Sequence, residues 1–211
     1  MDYQEVQSQI MLDYTGMIRT SQNPKGFLLE ELLGLQNVLD QAETSLISRR
    51  EAGELDFSEL LAPMKAQLAE IIDYANIVAP INDNFVILGI GGSALGPLAI
   101  HQALNHYYYN ELTPVERGHR PRFYVMDNID PVRFNGLLQM LDPRKTLFNV
   151  ISKSGNTSET MAQFLIVRDI LRRVCGDSYK DQIVVTTDKE KGNLLPIAIK
   201  EGFRLFVIPA G

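Results

Sequence analysis

From about residue 28 to 79, apolar positions recur at helical spacing. Leu28, Leu29, Leu32, Leu33 and Leu35 begin one amphipathic stretch, and Met64, Leu68, Ile71 and Ile72 mark another after Pro63. The segment Glu51-Ala52-Gly53-Glu54 separates them. From residue 84 the pattern changes to short β-rich runs alternating with helical ones, as in a parallel sheet joined by crossover helices. The pattern predicts strands at 85–90, 122–126, 146–151, 183–187 and 204–208, with helices at 94–106, 131–141, 157–174 and 192–201. The expected fold is α/β: a doubly wound, mainly five-stranded parallel sheet over 81–211, preceded by a helical extension over 1–80. Residues 107–121, rich in Tyr, Pro, Arg and His, read as a surface loop.

Composition narrows the function classes. The 211 residues are 45% hydrophobic and 22% charged, enough apolar material for a full core. A formal net charge of -6 argues against nucleic acid as a partner, because phosphate backbones are held by basic surfaces. An anionic ligand must therefore be captured by a local site. The single cysteine, Cys175, excludes an internal disulfide, and no metal-like Cys/His spacing accompanies it, so no metal is expected. The opening Met1-Asp2-Tyr3-Gln4-Glu5 lacks the basic and apolar regions of a signal peptide, and no apolar run approaches the roughly 18 residues that span a bilayer. The expectation is a cytoplasmic protein with no membrane partner.

Open α/β sheets bind ligands beyond the carboxyl ends of their strands, where helix N-termini converge with free N–H groups. Two such ends are chemically unusual. In Gly89-Ile90-Gly91-Gly92-Ser93-Ala94-Leu95-Gly96-Pro97 the glycines permit a sharp turn and close approach of a ligand, and Ser93 presents a hydroxyl at the helix start. A tight strand-helix turn that binds nothing would use the same glycines. Gly89-x-Gly91-x-x-Ala94 also fits the loose dinucleotide pattern, but Asp127 lies well beyond the spacing of about 20 residues expected for a ribose-binding acid.

The second end gathers Ser152, Ser154, Thr157 and Ser158 around Lys153 and Gly155. Hydroxyls, backbone N–H groups and the positive end of the following helix can all point at one tetrahedral dianion. Asn156 with Glu159, or Thr157 with Thr160, also fits ordinary helix capping. The Walker phosphate loop and the G-x-S-x-G hydrolase motif are both absent. His101, His106 and His119 lie outside the strand ends and read as solvated or structural, and Cys175 reads as packed.

Together the two loops resemble the paired signatures of phosphoglucose isomerases: Gly89-Ile90-Gly91-Gly92-Ser93 with Leu95-Gly96-Pro97, and Ser152-Lys153-Ser154-Gly155-Asn156-Thr157 with Glu159-Thr160. The S-x-S-G-x-T core is shared by the wider sugar isomerase (SIS) fold, including non-catalytic sugar-phosphate regulators. The glycine loop is much more specific. The resemblance covers about residues 84 to 211. It implies a hexose 6-phosphate partner, with Ser152, Lys153, Ser154 and Thr157 holding the phosphate, Gly155 and Asn156 shaping the loop, and Gly92 and Ser93 near the sugar. Ser154 stands where many members carry threonine, and the hydroxyl is retained. Glu159, in the first helical turn, reads as a cap or supporting residue rather than a general base.

The resemblance also implies a homodimer that interconverts glucose 6-phosphate and fructose 6-phosphate by proton transfer through an enediol, without a cofactor. Family members are longer than this chain, and Ile208-Pro209-Ala210-Gly211 would ordinarily run on into a Gly-Gly-Arg loop. The catalytic arginine, glutamate, histidine and lysine are expected beyond Gly211, so no catalytic residue is expected within the chain, which alone should be inactive. A non-enzymatic sugar-phosphate sensor on the same fold is the alternative from another class.

Overall fold

The computed structural model describes residues 13–55 and 61–208. Met1 to Glu5, Pro209-Ala210-Gly211 and the side chains of Pro63 and Met64 lie outside the described residues.

The stretch that starts at Leu28 forms two helices, α1 (Leu29–Leu33) and α2 (Gln36–Glu51), where one was expected. Gly34, a poor helix former, parts them, and its N–H returns to the Glu30 carbonyl. Helix α3 (Leu61–Val78) follows. Backbone contacts group the chain into two compact units, Met1–Ser58 and Glu59–Gly211, so α3 goes with the sheet and not with α1 and α2.

The second unit then alternates: β1 (Asn84–Leu88), α4 (Gly92–Leu104), β2 (Arg122–Met126), α5 (Pro131–Met140), β3 (Thr146–Ser152), α6 (Ser158–Cys175), β4 (Ile183–Asp188), α7 (Leu194–Glu201) and β5 (Arg204–Ile208). The five strands pair in the order β2-β1-β3-β4-β5, all parallel. Each predicted strand is present: 122–126 and 204–208 match at both ends, and no end of the other three is displaced by more than two residues.

The strands are nearly continuous apolar runs because both faces of the sheet are covered. Successive side chains point to opposite faces, which divides the core in two. On one face Val86, Leu88, Phe148, Val150 and Val185 pack with Phe134 of α5, Phe164, Val167 and Leu171 of α6, and Leu194 and Ala198 of α7. On the other, Ile87 and Val125 meet Ala94 and Leu98 of α4, while Leu147, Val184 and Phe206 meet Ile71, Tyr74 and Val78 of α3. The sheet is therefore doubly wound. Among the described residues, no helix is long and apolar enough to cross a membrane.

Two polar devices complete the frame. Glu201, at the end of α7, receives Arg168 at 3.0 Å, Arg172 at 3.1 Å and the Tyr179 hydroxyl at 2.7 Å, tying α7 to α6. At the β2 edge, the Asn110 amide donates to the Phe123 carbonyl at 2.8 Å and accepts the Phe123 N–H at 2.7 Å. Residues 107–121 thus contain an element that serves as a partner to the edge strand.

Phe164 is fully buried and meets Phe203 edge to face at 6.0 Å. Its replacement by alanine opens a cavity that cannot collapse around a rigid sheet, so Phe164→Ala should lower the unfolding free energy by about 3–5 kcal/mol, measured by urea denaturation. Glu201→Ala leaves two guanidinium groups without their shared acceptor and should cost about 2 kcal/mol in the same assay.

Candidate functional site

The winding of the sheet creates the site. Strand β1 lies between β2 and β3, and the connection β1-α4-β2 runs over one face while β2-α5-β3 runs over the other. The chain leaves β1 and β3 toward opposite faces, and a crevice opens between their carboxyl ends. Both loops singled out in the sequence start there.

Gly91 has φ 59° and ψ -125°, a combination that a side chain forbids, and this lets the chain turn at once from β1 into α4. Helix α4 consequently begins at Gly92, earlier than the predicted residue 94, and Ser93 lies in its first turn with its N–H on the Ile90 carbonyl at 3.3 Å.

Ser152 is the last residue of β3 and not the first of the loop. It pairs with Thr187 of β4, whose hydroxyl donates to the Ser152 carbonyl at 2.6 Å, and it is 1% exposed. From this buried position its Oγ stands 3.1 Å from the Thr157 hydroxyl. Ser154 Oγ stands 3.4 Å from the same atom and accepts the Asn156 N–H at 3.2 Å. Thr157 is the N-cap residue of α6, yet its side chain makes no capping hydrogen bond. Its hydroxyl joins the serines instead. By helix geometry the N–H groups of Ser158, Glu159 and Thr160 have no partner within α6 and point out of its first turn, where Glu159 complements the helix dipole.

A third segment closes the site. Asp188 ends β4, and its Oδ1 accepts the N–H groups of Glu190 at 2.8 Å and Lys191 at 3.1 Å. Gly192 follows with φ 83°, and a Cβ placed there would come within 2.2 Å of the Ser154 carbonyl oxygen and 2.6 Å of Gly155 Cα. Gly155 has φ 64°, and its own Cβ would come within 3.0 Å of Gly192 Cα. The two backbones lie in direct contact. Asn193 N–H donates to the Gly155 carbonyl at 3.1 Å and lies 3.0 Å from Asn156 Oδ1, and Leu194 N–H donates to the Gly155 carbonyl at 3.1 Å.

These segments enclose an open hollow of about 640 Å³ lined by Ser93, Lys153, Ser154, Asn156, Thr157, Asp188 and Lys191. Five of the residues expected from the sequence therefore meet in one place. Ser152 and Gly155 lie behind the surface as supports, and Gly92 and Glu159 are in the adjoining helix turns outside the lining. Asp188 and Lys191 were not anticipated. The Glu190 N–H holds the Asp188 carboxyl below the ordinary carboxylate range, helped by the Lys191 N–H and the charges of Lys191 and Lys153, against the effect of desolvation. The hollow thus combines hydroxyls, among them that of the α6 N-cap residue Thr157, with two lysines and one ionised acid.

Other candidates are occupied elsewhere. Asp127 forms an ion pair with Arg133 at 2.5 Å. His101 stacks on Phe123 with ring centroids 4.3 Å apart, and burial pushes its imidazole below the ordinary value. Burial also raises the Cys175 thiol, which opposes formation of a reactive thiolate.

Comparison with known proteins bears on this geometry. A family model described as phosphoglucose isomerase matches residues 55–206, a span that includes both loops and the Asp188–Asn193 segment. The chain is 47% identical over 176 residues to the glucose-6-phosphate isomerase of Carboxydothermus hydrogenoformans, covering 83% of this chain and 38% of that protein. It is 37% identical over 173 residues to the glucose-6-phosphate isomerase of Thermus thermophilus, covering 82% of this chain and 39% of that one. The crystal structure of a hypothetical protein from Thermus thermophilus aligns with a TM-score of 0.71 at 35% identity, over 85% of this chain and 40% of the other. A glucose-6-phosphate isomerase from Chlamydia trachomatis aligns with a TM-score of 0.57 at 25% identity, over 71% of this chain and 26% of the other. The chain spans less than two fifths of the length of the Carboxydothermus and Thermus relatives. With the family model matching most of its length and the crevice built from the same stretch, the chain belongs to the phosphoglucose isomerase family.

Proposed function

We propose that this chain supplies the phosphate-anchoring part of a glucose-6-phosphate isomerase, an enzyme that interconverts glucose 6-phosphate and fructose 6-phosphate by proton transfer through an enediol. The observation that carries the reading is the meeting of Ser93 with Lys153, Ser154, Asn156 and Thr157 in one hollow at the β1–β3 crevice. A phosphate dianion placed there meets hydroxyl donors, the first-turn N–H groups of α6 and a lysine charge.

In this reading Ser154 and Thr157 donate to phosphate oxygens and Lys153 supplies charge. Ser152 orients the Thr157 hydroxyl from beneath, while Gly155 and Asn156 hold the loop against the start of α7. Gly92 and Ser93, across the crevice on α4, face the sugar, and Glu159 supports the start of α6 through its charge. Moving a proton between C2 and C1 requires a carboxylate with a pKa near the working pH, together with donors for the developing oxyanion. Asp188 is unsuited to that task because the N–H groups of Glu190 and Lys191 hold its pKa below the ordinary carboxylate range, which leaves it a weak base. The proton-transferring groups belong to the remaining length of the family's sequence. The contribution of the hollow is to fix one end of the sugar, which turns the chemistry at the other end into a positioned, effectively unimolecular step. A cytoplasmic homodimer is the assembly that fits this reading.

Isothermal titration of the chain with fructose 6-phosphate tests the reading directly: binding is expected, and fructose, without the phosphate, should fail to compete. A hydrogen bond to a charged group contributes about 1.5–3 kcal/mol, so Thr157→Ala should weaken fructose 6-phosphate binding by roughly tenfold or more. Equal affinity for fructose and its phosphate would overturn the reading. A coupled assay should detect no isomerisation by the chain alone, and enzyme-like turnover would refute the division of labour. Gly192→Ala, which drives a methyl group into the Ser154 carbonyl, should weaken phosphate binding without any change in a residue that touches the ligand; titration of this variant checks it.

A further inference from the structure

We infer that Asp188 and Lys191 act as a charge pair of the same anion site, with Lys191 a second cation for the phosphate and Asp188 the resident counter-anion that the phosphate displaces. The inference rests on the phosphate reading above and extends it to a segment with no part in the two recognised loops.

Position is the first support. Register places Ser152 opposite Thr187, so the residues that follow, Lys153 and Asp188, emerge side by side from neighbouring strands. Both line the hollow together with Lys191. The close approach of Gly192 to Gly155 and the bonds from Asn193 and Leu194 N–H to the Gly155 carbonyl pin the segment immediately after Lys191 to the phosphate loop. A lysine one residue from that contact is held near the anion by the backbone, although its side chain is exposed.

Charge is the second. The protein carries a net charge of -6, so a phosphate dianion approaches against the overall field. The ionised side chains lining the hollow are Lys153, Lys191 and Asp188, and their sum is positive. Both lysine charges act on the Asp188 carboxylate. Before the ligand arrives, that carboxylate is the anionic side chain lining the hollow beside the two ammonium groups. A phosphate carries a charge near -2 and several acceptor oxygens, so it competes successfully for both. Lysine suits this exchange because its ammonium is a compact charge on a flexible stem and can move from one acceptor to another.

Neighbouring residues provide a control. Lys189 pairs with Glu190 at 3.4 Å, and neither lines the hollow. Lys189→Gln and Lys191→Gln change the net charge identically, and only the second removes a charge that lines the hollow.

The experiment is titration of the chain and its variants with fructose 6-phosphate, with fructose as the phosphate-free reference. Lys191→Gln should weaken fructose 6-phosphate binding about tenfold, Lys191→Arg should restore most of it, and Lys189→Gln should stay within about twofold of the parent, since exposed charges away from a site count little. Asp188→Asn keeps an Oδ1 to accept the Glu190 and Lys191 N–H groups while removing the negative charge, so it should bind more tightly. If Lys191→Gln matches Lys189→Gln while Thr157→Ala still loses binding, the second cation is overturned and the phosphate site stands. Weaker binding by Asp188→Asn with an unchanged melting temperature overturns the counter-anion. If the parent chain shows no preference for fructose 6-phosphate over fructose, the phosphate reading itself falls and this inference falls with it.

Discussion

The contact between Gly155 and Gly192 is the constraint on which the site depends. Both residues have positive φ, and each occupies the space in which the other's side chain would lie. Their approach brings the start of α7 against the loop before α6, so that Asn193 and Leu194 donate to the Gly155 carbonyl and the Asn193 N–H also meets the Asn156 amide oxygen. Without this contact, three segments at the carboxyl edge of the sheet would be independent loops. With it, the β3 and β4 ends form one surface, and the β1 loop across the crevice supplies the opposite wall.

The hydroxyls follow the same logic. Thr157 has the position of a capping residue and gives up the capping bond, which normally stabilises a helix by about 1 kcal/mol. Its hydroxyl is held by Ser152 from the buried side and by Ser154 from the exposed side. A local rule broken in this way marks a place where stability has been traded for function. The N–H groups of the first turn of α6 remain free for a ligand as a result.

The sheet was legible in the sequence because each strand is covered on both faces, and runs such as Phe85-Val86-Ile87-Leu88 have no other reading. Element ends were less so. Gly91 starts α4 early through a backbone angle that composition does not encode, and Ser152 joins β3 because Thr187 grips its carbonyl from a strand 35 residues away. The two loops of the site stood out by their density of glycine and hydroxyl groups. Asp188 to Asn193 did not, because Asp-Lys-Glu-Lys-Gly-Asn has the composition of any solvated turn. Its role comes from β4 lying beside β3, a fact of strand order and not of local sequence. Gly192 was unreadable for the same reason, since the atom it must avoid belongs to Ser154. Near the N-terminus, leucine spacing indicated helix, but Gly34 was too weak a signal to show that one helix becomes two.

Asn110 has a consequence for how molecules of this protein meet. By presenting an amide oxygen and an amide nitrogen to the N–H and carbonyl of Phe123, its side chain imitates one residue of an adjoining strand. The outer margin of β2 is therefore already paired near its start, and a strand from another molecule would have to break both bonds before it could zip along that margin. An exposed parallel sheet is ordinarily open to runaway edge-to-edge growth. Here a single asparagine in a tyrosine-rich loop caps this margin of the sheet, while β5 forms the opposite margin.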